Sequence, residues 1–203
     1  MKYRLKFLLL VVIVGVVSTS LHEFGHCVFY WIQGIPAGMS LVMEFPLINI
    51  SAKQYGIGSA GGPIVNILLI IGAYYFVQKY DKKSKKWNVC SAIIVANSFY
   101  FIFRAILGLA KNDGGEIESS MNLIGLDFRT AAVLFFILAL TILVLWVHKF
   151  KIKFSLGNSS YYLLVFISYL AIIMVMEGID AKYFWDKYPS IEIDDGRIHN
   201  PHD

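Results

Sequence analysis

The stretch FLLLVVIVGVVSTSLHEFGHCVFYW, residues 7–31, is long and apolar enough to cross a bilayer as one helix, yet it carries two imidazoles and a carboxylate near its end. A plain membrane anchor has no use for His22, Glu23 and His26, because polar groups at that depth are costly unless they are engaged. On a helix, residues four apart stack on one face, so His22 and His26 can offer two nitrogens to one tetrahedral Zn2+. Glu23, one residue round from His22, is better placed to reach a water on that ion than the ion itself, as the general base does in H-E-x-x-H. From this chain's own His and Glu content the pattern is expected by chance only about 0.004 times. Cys27, five residues after His22, points off the ligand face.

The surrounding composition agrees with a membrane setting. Across 203 residues the chain is 57% hydrophobic and 16% charged, with a mean hydropathy of +0.62, well outside the range of soluble domains. The net charge of +4 does not suggest a nucleic-acid partner, because the basic residues fall in short clusters between apolar runs. The basic start and Ser18-Thr19-Ser20 imitate a signal peptide, but the apolar run continues to Trp31 and is too long for a signal core.

Four further apolar segments, residues 62–77, 87–110, 130–147 and 161–176, bring the expected crossings to five, the second and fifth borrowing flanking residues. The expected fold class is therefore an all-α integral membrane protein, one polytopic domain of about five transmembrane helices in a lipid bilayer. Basic clusters precede the first segment and follow the second and fourth, eleven residues against six on the other side, which places the N-terminus in the cytoplasm. On that topology Cys27 and Cys90 lie at opposite faces, which argues against a disulfide. Between the first two segments, residues 39–45 and 47–51 read as two short strands around Pro46. That β-hairpin lies either on the surface or in the bilayer under cover of protein. The tail, residues 180–203, reads as membrane-proximal aromatics followed by a flexible acidic end, with His199 and His202 in solvent.

Two histidines leave a zinc short of a third protein ligand. Asp113, in Lys111-Asn112-Asp113-Gly114-Gly115-Glu116, follows the third segment on the same membrane side as the histidines, with Glu116 as its substitute and Glu177 a more distant rival. Ser59-Ala60-Gly61-Gly62-Pro63-Ile64-Val65-Asn66 falls on that side too, its small residues permitting close helix contact and Asn66 offering a donor to the site. Asn97, Arg104 and Lys111 recur every seven residues along a helix contact or wet groove, and Arg104 reads as structural.

With these motifs in hand, the chain resembles the site-2 protease family of intramembrane zinc metalloproteases. That family carries H-E-x-x-H in one transmembrane helix, G-P-x-x-N opening the next, and N-P-D-G or L-D-G near the end of a third. The counterparts here are residues 22–26, Gly62-Pro63-Ile64-Val65-Asn66 and Asn112-Asp113-Gly114, so the resemblance covers roughly residues 7–120. It implies that His22, His26 and Asp113 bind zinc, that Glu23 activates water, and that the hairpin helps present substrate as an extended strand. The expected function is hydrolysis of a peptide bond in or near a transmembrane segment of a membrane-protein substrate, by a multi-pass protein of the cell membrane. The alternative is a non-catalytic membrane zinc-binding or regulatory protein of the same fold.

Overall fold

The computed structural model describes residues 2–111, 115–149, 156–183, 191–193 and 198–199. Along the chain come α1 (Lys2–Ile32), β1 (Ala37–Met39), β2 (Glu44–Pro46), α2 (Ala52–Val77), α3 (Lys85–Lys111), α4 (Gly115–Asn122), α5 (Phe128–Lys149), α6 (Leu156–Tyr183), β3 (Ile191–Glu192) and β4 (Ile198–His199). Five helices, α1, α2, α3, α5 and α6, are long and apolar enough to cross a membrane. This is an all-α membrane protein with a small hairpin between its first two helices, as the apolar segments anticipated. The short α4, which hydropathy does not reveal, lies between α3 and α5.

The helix starts follow local chemistry. Ser51 caps α2: its Oγ accepts from the Gln54 N–H at 3.2 Å, while Gln54 Oε1 accepts from the Ser51 N–H at 2.9 Å. Helix therefore begins ten residues before the apolar run, and residues 52–61, with Gly56, Gly58, Ser59, Ala60 and Gly61 among them, lie inside α2. Asp127 caps α5, accepting from the Thr130 N–H at 3.0 Å and the Thr130 hydroxyl at 2.6 Å, bonds that hold its carboxyl below the usual carboxylate range. One core, with Val11, Ile70, Val77, Phe101, Phe135 and Tyr169 among its residues, joins the long helices. Leu134, Ile137, Leu140 and Val144 on α5 face outward, as a hydrocarbon solvent allows.

The hairpin turns elsewhere than expected. Its strands pair antiparallel with Ala37 opposite Pro46 and Met39 opposite Glu44, so the turn is at residues 40–43 and Pro46 is inside a strand. The reason is a long-range acceptor. Asp180, in the last turns of α6 and fully buried, accepts from Ser40 Oγ at 2.5 Å, from the Val42 N–H at 2.9 Å and from the Leu41 N–H at 3.3 Å. No local pattern announces that partner, 140 residues away from Ser40. On the other side, Cys27 donates its thiol to Gly38 O at 3.2 Å, tying the hairpin to α1.

Part of the tail, residues 191–193 and 198–199, is built into strands and a bridge, while His202 and the side chain of His199 lie outside the described residues. β3 and β4 pair antiparallel, and Ile193 forms a parallel bridge to Ile50 at the start of α2. Ile193 is buried in a cluster with Tyr30, Ile35, Ile50 and Tyr55, and that burial holds down a segment otherwise read as a solvated end.

Candidate metal centre

The site is made where α1 crosses the first half of α2, and glycine permits the crossing. A Cβ on Gly61 would lie 2.2 Å from Gly25 O, and one on Gly25 would lie 2.7 Å from Gly61 O, so here the two backbones touch. One turn along, Gly58 lies flat against the Tyr30 ring. Gly62 roofs the histidines: an added Cβ would fall 2.3 Å from His26 Nε2 and 2.5 Å from His22 Nε2. Pro63 inside α2 adds a second peculiarity, since it has no N–H to donate back to the Ser59 carbonyl.

Under that roof His22 and His26 are fully buried, with their Nε2 atoms 3.1 Å apart. Two ligands on one tetrahedral zinc, each at about 2.0–2.1 Å, would be separated by about 3.3 Å, so the pair fits a shared ion with little movement. His26 Nδ1 lies 2.9 Å from Gly58 O and 3.2 Å from the Gly62 nitrogen; in the tautomer that donates to Gly58 O, Nε2 presents its lone pair to an ion.

Around the pair stand polar groups from three other elements. Glu23 is buried beside it on α1, and Glu44, buried on β2, joins Glu23 and His26 in a group whose ligand atoms all lie within 4.8 Å of one another. Tyr100 reaches across from α3, its hydroxyl 2.9 Å from His22 Nε2. One turn before Tyr100 on α3, Asn97 donates to Ser18 Oγ at 3.2 Å, fixing the register of α3 on α1. Asn66, one turn after Gly62, is 1% exposed, and its Oδ1 is buried without a hydrogen-bond partner. An orphaned acceptor one turn from the residue that roofs the histidines suits a site that takes up a ligand.

His22, Glu23 and His26 thus lie together on α1, and Asn66 lies buried on α2 one turn after Gly62. Asp113 lies outside the described residues, as does the side chain of Glu116. The elements that flank Asp113 are described, however, and α4 packs on the first turns of α2, where a Cβ on Gly56 would fall 2.6 Å from Ser119 O. Glu177 is exposed on α6 and takes no part. Arg104 lies with its guanidinium 5.9 Å from the centre of the Tyr100 ring, one turn beyond the residue that meets His22. Sequence reasoning missed Tyr100 and Glu44. The signal for Glu44 was a lone acid within the apolar run Leu41-Val42-Met43-Glu44-Phe45, whereas Tyr100, in an aromatic-rich helix, gave none.

Comparison with protein-family models, with curated proteins and with solved structures returned no match. The chemistry of the site therefore rests on its own geometry.

Proposed function

We propose that the protein is an intramembrane zinc endopeptidase of the site-2 protease type, a multi-pass protein of the cell membrane that hydrolyses a peptide bond in or beside a transmembrane segment of its substrate. The observation that carries this reading is the buried Nε2 pair at 3.1 Å, with the neighbouring carboxylate of Glu23 in the order H-E-x-x-H. His22 and His26 would hold the metal, with Asp113 as the third ligand by its motif and Glu44, within 4.8 Å of His26, as the carboxylate that another described element offers. Bound there, zinc would lower the pKa of water toward about 7 and polarise the scissile carbonyl.

The chain's own groups do the rest. Glu23 takes the proton of the attacking water on its carboxylate and returns it to the leaving amine. The Tyr100 hydroxyl and the Asn66 amide are donors for the carbonyl oxygen as it gains negative charge. Because a helix hides its peptide bonds, the substrate must unwind locally, and the hairpin beside Glu23 offers strand edges on which an unwound segment can pair.

Glu23→Gln tests the reading: metal analysis should find zinc retained, while cleavage of a single-pass substrate by the purified protein should vanish. Cleavage at the wild-type rate would remove Glu23 from catalysis, and loss of zinc would make it a ligand. For the third ligand, zinc content should fall in Asp113→Ala and hold in Glu44→Ala; the reverse would transfer that role to β2.

A further inference from the structure

The segment joining the hairpin to α2 is already occupied by a strand, and the strand is the chain's own tail. The Ile50 N–H donates to Glu192 O at 3.3 Å, and the Glu192 N–H donates to Asn49 Oδ1 at 3.0 Å. Ile193 lies parallel to Ile50 and is 2% exposed, its side chain filling a pocket made by Tyr30, Ile35, Ile50 and Tyr55. Beside these bonds an open depression of about 280 Å³ is lined by Asn49, Ile50, Ser51, Gln54 and Glu192.

This place adjoins the metal centre. Tyr30 is one turn beyond His26 on α1, and Gly58 serves both, its carbonyl oxygen 2.9 Å from His26 Nδ1 while a Cβ on it would fall 2.1 Å from the Tyr30 ring. A main-chain donor, a side-chain acceptor one residue away and an apolar pocket are what strand-addition sites use: backbone bonds for affinity, one pocket for specificity.

We propose that Asn49–Ile50 and the Tyr30 pocket form a docking site for an extended peptide carrying a β-branched apolar residue, and that the tail around Ile193 holds it as an intrachain competitor. The partner is the unwound segment of the membrane-protein substrate, so the inference rests on the proteolytic reading. A tethered occupant competes at high effective concentration, so an untethered substrate docks only when the tail lets go.

The test uses the full chain in detergent micelles, the variant Ile193→Asp and a labelled peptide of residues 188–195, Tyr-Pro-Ser-Ile-Glu-Ile-Asp-Asp. Burying a carboxylate in that pocket should expel the tail. Amide hydrogen exchange at Ile50 should then quicken by about tenfold or more, the effect of losing one buried apolar side chain. The peptide should bind the variant and be excluded by the wild type, and cleavage of a single-pass substrate should rise and be suppressed again by added peptide. Should Ile193→Asp fail to fold, Asn49→Ala, which removes only the acceptor for Glu192, should shift exchange and peptide binding in the same direction by less. Unchanged exchange at Ile50, or equal peptide binding by both proteins, overturns the proposal. So does faster exchange with cleavage that neither rises nor responds to peptide. If neither protein cleaves while exchange and peptide binding change as expected, the docking site stands and the proteolytic reading falls.

Discussion

The two halves of α2 use glycine in opposite ways. In the first half, Gly58, Gly61 and Gly62 are buried, and each meets α1 so closely that a single methyl group would collide with a ring, a carbonyl or the histidine pair. In the second half, Gly72 has nothing within 4 Å of where its Cβ would be. The first half shapes the site, and the second leaves its glycine without a close neighbour. Glycine inside a helix is thus informative only when its neighbours are known.

Substitutions along α2 can break that contrast. The largest effect should come from Gly62→Ala, which drives a methyl group onto both Nε2 atoms; zinc per protein should fall to a small fraction of the wild-type value, with helix content by circular dichroism preserved. Full zinc occupancy in this variant would mean that the metal is not held between His22 and His26. Gly61→Ala should come next, forcing α1 and α2 apart at cost of about 1–3 kcal/mol, read as a lower unfolding midpoint with part of the zinc retained. Tyr100→Phe tests the same crossing from α3: it removes the hydroxyl proposed to donate to the carbonyl oxygen and should reduce turnover by about tenfold or more, with zinc content and the unfolding midpoint unchanged. Smallest of all, Gly72→Ala should leave zinc content and turnover as they are and raise stability by up to about 1 kcal/mol, the helix propensity difference. Damage from Gly72→Ala comparable to that from Gly61→Ala would erase the distinction between the halves.

Much of this was legible because it is local. Helical spacing placed His22 and His26 on one face, and the small residues of Ser59-Ala60-Gly61-Gly62 announced a close helix crossing. The hairpin was legible as an element but not in its turn: Pro46 suggests a break, and the acceptor that fixes the turn at residues 40–43 is Asp180 on the last helix. Tyr100 was hidden for a similar reason, since its hydroxyl meets a histidine 78 residues away. The tail misled through composition, because acidic residues hid one isoleucine whose burial fixes the strand.

The sequence by itself determined that this is a membrane protein of long apolar helices, and that one of them offers a pair of imidazoles and a carboxylate on adjacent faces. Segment length, hydropathy and the 3.6-residue period are properties of neighbouring residues, and they survive without knowledge of the fold. Only the tertiary structure decided that the imidazoles face each other at 3.1 Å beneath Gly62, with Tyr100 and Glu44 beside them and the tail strand next door. Those placements depend on which backbones can touch and on which distant group satisfies a buried donor, both properties of the packed chain as a whole.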